Sequence, residues 1–228
     1  FIRLTPPEVF RGGAVAGVDV TYLRIGGGLY IGLVSVLLSA DGLEMDFLDP
    51  VAGSSEDEAI EKAAKNIATG VKSNPLILMV NRAWLRKNLS EALEEYGKEC
   101  VVVGATKTHS YPRLLMKEGK RYVNPDSGFT FVVKEEKGVG MYLVVPVGIN
   151  ERRTARPMLV TIDTRGVNIE PKDVLKYALD MRLLNVETAR YLASLPWPLW
   201  TADKLCKKIY RISTYKGITI GSDILRLL

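Results

Sequence analysis

The sequence predicts an α/β fold, a mixed β-sheet flanked by helices, on three observations. Its N-terminal quarter holds three apolar, β-rich runs separated by glycine turns. A helical pattern with its own start signal follows. After it, short continuously apolar runs alternate with further helical patterns. At 228 residues, with 47% apolar and 25% charged residues, the chain is long enough to bury a sizeable core as one domain.

Residues Phe1 to Gly13, with Pro6-Pro7 and Gly12-Gly13, read as a lead-in segment to a single domain spanning residues 1–228. The first strand is Ala14 to Ile25, then Gly26-Gly27-Gly28 turns the chain into a second run from Leu29 to Leu38. Asp41-Gly42 is a favoured hairpin dipeptide and leads to a shorter run, Leu43 to Leu48, ending near Asp49-Pro50. Ser55 and Glu58 have capping-box spacing, and Glu56 and Asp57 suit a helix N-terminus. Ile60, Ala63, Ala64, Ile67 and Val71 then recur on one helical face.

Leu76 to Val80 is continuously apolar and suits a central strand covered on both sides. A second helix is expected from Leu89 to Tyr96, with Asn88 as cap and Gly97 as stop. The next strand is Cys100 to Gly104. Three antiparallel strands, helix, strand, helix, strand is the order of the ribonuclease-H-like fold. Phe129 to Val133, Gly138 to Val145 and Met158 to Ile162 extend the sheet. Pro171 opens a helix carrying Val174, Leu175, Ala178 and Leu179. A shorter helix covers Val186 to Leu192. Pro196-Trp197-Pro198 interrupts, and a last helix runs from about Trp200 to Tyr210 with Leu205, Cys206 and Ile209 inside.

Asp19 stands in the middle of the first strand, where apolar neighbours are expected on both sides. A buried carboxylate is costly unless it is paired or binds a cation; a wetter strand end with a backbone or Arg partner is the alternative. Cys100 and Cys206 lie far apart in apolar surroundings and read as buried thiols. One histidine and two cysteines cannot build a four-ligand zinc site, so any metal must be held by oxygen. No run reaches the roughly 18 apolar residues that span a bilayer, and a cytoplasmic protein with no membrane partner is expected.

The net charge of +5 is modest, yet it is clustered. Lys107, Arg113, Lys117, Lys120 and Arg121 face a single Glu118, and Lys204, Lys207, Lys208, Arg211 and Lys216 face no acid within their block. Two such blocks suit a phosphate-binding surface, and each alone also reads as ordinary solvation.

Several segments, in order, resemble the PIWI domain of the Argonaute family, which has the ribonuclease-H-like fold. Gly17-Val18-Asp19-Val20 resembles its first strand with the first catalytic aspartate. Val80-Asn81-Arg82-Ala83 resembles the strand end that usually carries Arg-Asp-Gly, with Ala83 in the place of the second aspartate. Thr106 to Leu115 and Asn124 to Gly128 are similar to its next strand and loop. Thr154-Ala155-Arg156-Pro157 matches its Ala-Arg-Pro turn, and Leu195 to Leu205 its closing Leu-Pro-x-Pro segment ending in Ala202-Asp203.

The resemblance implies a guide- and target-binding domain, with DNA or RNA strands, and a remnant cleavage centre. Asp19 and Asp203 would be oxygen ligands for Mg²⁺ or Mn²⁺, and Glu58 is the best match to the family's inserted glutamate, although it reads equally as a helix cap. A methyl at Ala83 cannot ligate metal, so cleavage is expected to be lost. Lys107, His109, Arg113, Lys117 and Arg121 would flank the channel, with Lys207, Lys208 and Arg211 on the closing helix. The family's MID domain, which holds the guide 5′ phosphate, has no counterpart before Asp19, so a MID-bearing partner subunit or an upstream segment is implied. Three other classes stay open: an active metal-dependent nuclease of this fold, including the kind that works beside a hexameric helicase; a structural subunit that pairs with a MID-bearing chain; and a small soluble domain whose basic blocks are ordinary solvation.

Overall fold

The side chains of the first strand alternate between two covered faces, and the rest of the fold is laid out from it. The computed structural model describes residues 6–25, 28–39, 42–52, 55–71, 75–81, 99–107, 121–124, 128–145, 157–182 and 195–216. After a short 3-10 turn at Glu8–Phe10, β1 (Ala14–Ile25), β2 (Gly28–Ser39) and β3 (Gly42–Ala52) form an antiparallel meander. Ile25 pairs with Gly28 and Ser39 with Gly42, the tight connections that the glycine turns and Asp41-Gly42 predict. Strand β3 runs on through Pro50, beyond its expected end. It is an outermost strand among those described, where a proline, which has no N–H to donate, is tolerated.

Helix α1 (Glu56–Gly70) begins at the predicted capping box: Ser55 Oγ accepts from the Glu58 N–H, and the Glu58 carboxylate accepts from the Ser55 N–H. Next come β4 (Leu76–Val80) and β5 (Cys100–Lys107), both parallel to β1. The sheet then turns antiparallel through β6 (Arg121–Asn124), β7 (Gly128–Glu136), β8 (Val139–Val145) and β9 (Met158–Asp163). Among the described residues the nine strands form one sheet, ordered β3-β2-β1-β4-β5-β9-β8-β7-β6. Strand β7 extends three charged residues past its expected end, to a turn in which Lys137 and Gly138 both take positive φ.

Helices α2 (Pro171–Met181) and α3 (Trp197–Lys216) complete the described elements. Helix α3 starts three residues earlier than expected. Pro198 sits in its first turn, where a missing N–H leaves no bond unmade. The expected helices from Leu89 to Tyr96 and Val186 to Leu192 and the Ala155-Arg156 turn lie outside the described residues.

Two apolar layers hold the sheet between helices. On one face Ala14, Ala16 and Val18 of β1 join Leu76, Leu78 and Val80 of β4 against Ala59, Ile60, Ala63, Ala64 and Ile67 of α1. On the other, Val15, Ile77, Met79 and Val101 pack with Val174, Leu175 and Leu179 of α2 and Leu199 and Trp200 of α3. Further along that face Leu23, Val34 and Val36 meet Ala202, Cys206 and Ile209 of α3. Strand β4 is buried at every residue, as its unbroken apolar run requires when both faces are covered. Both cysteines are buried free thiols.

Candidate functional site

The site follows from the alternation of β1 and from where β4 stops. Val15 and Leu23 point toward the α2 and α3 side, so Gly17, Asp19 and Thr21 share that face. Strand β4 pairs with β1 only as far as Val18 with Val80. Asp19 is therefore the first β1 residue past the end of β4, and Asn81 is the first residue after β4. The Asn81 side-chain amide nitrogen lies 3.2 Å from each carboxylate oxygen of Asp19.

Helix α3 supplies the opposite wall, and its approach depends on Gly17. A Cβ at that position would lie 2.3–2.5 Å from the backbone of Pro198 and Leu199. The missing side chain lets the first turn of α3 rest directly on β1. Farther along, Thr21 Oγ1 donates to the Cys206 carbonyl at 3.2 Å, fixing the helix against the strand a second time. Between these two contacts Asp203 faces the cleft, 8% exposed, beside Asp19 at 7%. Asp203, Lys207 and Arg211 follow at four-residue steps, which keeps them on one face of the helix. The cleft they line has a volume of about 470 Å³ and includes Asn81 and, from the first turn of α1, Glu56.

Two buried carboxylates side by side call for compensation. Burial pushes the Asp19 carboxyl up to about 6; the Val20 N–H, which donates to it at 2.9 Å, pulls it back, the Asp203 charge pushes further up, and Asn81 and Lys207 pull down. Lys207 Nζ donates to Asp203 Oδ2 at 2.5 Å. The Cys206 thiol is raised first by burial and then by the two aspartates, so it stays protonated and takes no part as a nucleophile. Asp19 is thus buried rather than at a wetter strand end, and it accepts from a neighbouring backbone N–H and from the Asn81 amide.

The structure brings together Asp19, Asp203, Lys207 and Arg211. Lys208 is exposed on the adjoining face of α3, and Lys204 stacks over the Trp200 ring at 3.8 Å. Glu58 is not brought in: its carboxylate accepts from the Ser55 N–H at 3.2 Å, on the exposed start of α1, so the cap reading describes it. Glu56, two residues earlier and unsuspected from the sequence, lines the cleft instead. Asn81 was also missed, because the family match pointed to Ala83. The register of β1 on β4, which pairs Val18 with Val80, is what places Asn81 beside Asp19.

The first basic block is not gathered at the cleft as a whole. Lys107 ends β5, two strands from β1 and at the same end of the sheet as Asp19. Arg121 starts β6 on the far edge, six strand spacings or roughly 29 Å from β1 along the sheet. It therefore does not flank this cleft, because the sheet order separates residues that sequence proximity to Lys107 had grouped. Ala83, His109, Arg113 and Lys117 lie outside the described residues.

A pair of divalent ions does not fit the described residues. Among the described residues no three acidic, histidine or cysteine side chains stand close enough to share a metal. The two carboxylates that do meet are already engaged by nitrogen donors, an amide on Asp19 and an ammonium on Asp203.

A meander joined to two parallel strands in the order 3-2-1-4-5, with helices on both faces and an aspartate in the first strand, is a ribonuclease-H-like architecture. No protein-family model matches the sequence, and no curated protein does either. Solved structures do share the fold. Endonuclease V from Bacillus subtilis superposes with a TM-score of 0.55 at 17% identity, over 93% of this chain and 87% of that one. Marinitoga piezophila Argonaute in complex with 5′ OH guide RNA and target DNA gives a TM-score of 0.59 at 12% identity, over 91% of this chain and 31% of that one. Clostridium butyricum Argonaute bound to a guide DNA and a 19-mer target DNA gives 0.55 at 16% identity, over 89% and 27%. The chain spans under a third of the length of these Argonautes, and identities this low show the fold alone.

Proposed function

We propose that this chain is a nucleic-acid-binding domain of ribonuclease-H-like fold that binds guide and target strands without cleaving them. The observation that carries the reading is the single face of α3 that brings Asp203, Lys207 and Arg211 into a cleft beside Asp19, at the end of parallel β1, β4 and β5. Lys207 and Arg211 stand at the mouth as phosphate contacts, with Lys208 beside them and Lys107 two strands over. Such contacts give affinity that falls with salt and reads little sequence. The Argonaute and Endonuclease V likenesses support a nucleic-acid ligand for this architecture.

In this reading cleavage is lost because carboxylates are few among the described residues and Asp19 and Asp203 already accept from nitrogen donors. A MID-bearing partner or upstream segment belongs to the same reading, as the source of a guide 5′-phosphate pocket. The test combines binding and cleavage. Changing Lys207 and Arg211 together to Glu should weaken all single-stranded sequences about equally and reduce the salt slope by about 1.4, two contacts at roughly 0.7 each. No product should appear with Mg²⁺ or Mn²⁺. Unchanged affinity in the double variant would remove the binding role from α3. Cleavage by the native chain that vanishes in Asp19→Ala would establish the active-nuclease alternative.

A further inference from the structure

We infer that Lys207 is the resident cation of the Asp19–Asp203 pair, holding the place a divalent ion would take and offering its remaining donors to a nucleic-acid phosphate. The second half of this statement rests on the nucleic-acid reading; the first does not.

Two buried carboxylates on facing elements set up a strongly negative spot, and a low-dielectric wall on each side magnifies it. A protein can relieve such a spot with a bound metal ion or with its own donors. Here the donors are internal. Asn81 donates to both oxygens of Asp19, and Val20 N–H donates to Oδ1. Lys207 reaches Asp203 from one helical turn on, an (i, i+4) step that a helix presents without strain. The fixed position of α3, set by the Pro198 contact at Gly17 and the Thr21 bond, keeps that ammonium in the cleft.

The geometry also leaves the ammonium usable. Asp203 is nearly buried at its side chain, 11% exposed, while Lys207 is 60% exposed. An ammonium has three donors, and Asp203 accepts from one. Lys207 itself lines the cleft, together with Arg211 one further turn along the same face. An anion seated there would meet a cation already held in place by Asp203, so little side-chain freedom would be lost on binding. A backbone phosphate has the charge and acceptor count for this position. The acid pair thus serves to orient a lysine rather than to ligate metal.

The experiment uses the full chain, its Lys207→Met variant and its Lys207→Arg variant, with folding checked by circular dichroism. Free Mn²⁺ is read by electron paramagnetic resonance, and the affinity for a fluorescent single-stranded oligonucleotide by anisotropy in Mg²⁺ and in EDTA at matched ionic strength. The native chain should take up no Mn²⁺ and bind the oligonucleotide equally with Mg²⁺ or EDTA. Lys207→Met should gain saturable Mn²⁺ binding and lose about tenfold in oligonucleotide affinity in EDTA, the effect of one charged hydrogen bond. It should recover part of that loss when Mg²⁺ is added. Lys207→Arg, which keeps the charge, should still exclude Mn²⁺; if Lys207→Met does not fold, Mn²⁺ uptake by the native chain or the Arg variant still overturns the inference. Equal Mn²⁺ uptake by native and Met proteins, or none by either, would also overturn it. Should no form bind the oligonucleotide, the nucleic-acid reading fails while the Mn²⁺ comparison still decides whether Lys207 is the resident cation.

Discussion

Replacing Gly17 with Ala tests whether one close backbone approach positions the site. The new Cβ would stand 2.3 Å from the Pro198 carbonyl carbon, 2.4 Å from the Leu199 nitrogen and 2.5 Å from the Pro198 oxygen. All three are backbone atoms, so no side-chain rotation relieves the overlap. Ordinary contact begins near 3.4 Å, so α3 must retreat from β1 by roughly 1 Å, a gap that forfeits a quarter to a half of each dispersion contact across it. Leu199, Ala202 and Ile209 are fully buried along that interface. Overpacking of this kind costs about 3 kcal/mol, which lowers the melting temperature of a chain this size by about 6–12 °C. The same retreat carries Asp203 and Lys207 away from Asp19, so oligonucleotide affinity should fall as well. Gly70 serves as the control: it lies at the end of α1 with nothing within 4 Å of an added Cβ, and Ala there should stabilise by about 0.5–1 kcal/mol. Urea unfolding with an unchanged slope measures both. A Gly17→Ala protein as stable as the native one, with unchanged affinity, would refute the argument that this contact sets the site.

Other outcomes follow from single groups. Asp19 is ordinarily ionised above 3.8 but in the fold only above about 6, so its contribution is fully present below 3.8 and is lost as pH rises through 6. Asp19→Asn should therefore be more stable than the native chain by about 1–3 kcal/mol at pH 7, with the difference shrinking toward pH 4. A gain independent of pH would contradict burial of the charge as its cause. Glu58→Ala should cost about 0.5–1 kcal/mol of stability through the lost cap and leave oligonucleotide affinity unchanged; a binding defect without a stability loss would return Glu58 to the site.

Wherever a local pattern decided an element, the sequence could be read. Glycine turns marked the β1–β2–β3 meander, Ser55 and Glu58 marked the start of α1, and the unbroken run Leu76 to Val80 marked a strand covered on both faces. Where long-range contact decided, it could not. Lys134, Glu135 and Glu136 carry no apolar alternation, yet they form the end of β7 because Met141, Gly140 and Val139 pair with them. Pro198 looks like a helix breaker until its place in the first turn of α3 is known. Arg121 looks like a neighbour of Lys107 until the strand order sends it to the opposite edge. The site divides in the same way. Asp19 was visible as an acid in an apolar strand, Asp203 only through the resemblance of its segment, and Lys207 and Arg211 as part of a charge block. That Asn81 meets Asp19, and that Glu58 is held at its cap while Glu56 lines the cleft, depends on register and on a hydrogen bond.

The packing of α3 and the charge balance of the cleft are one problem. Gly17 admits the helix so closely that Asp203 is driven toward Asp19, and both acids are left almost without water. Burial and the neighbouring Asp203 charge would then favour protonation of Asp19 or a gap between helix and strand. The fold avoids the gap by supplying nitrogen donors from three separate elements: the backbone of β1 at Val20, the residue after β4 at Asn81, and α3 itself at Lys207. Asp19 still ends with a raised pKa, so the compensation is incomplete. That residual strain is tolerable because it lies on the element that carries the cations. The helix that imposes the acidic pair also delivers Lys207 and Arg211 at successive turns of the same face, and no shift of α3 can relieve the acids without withdrawing the cations from the cleft.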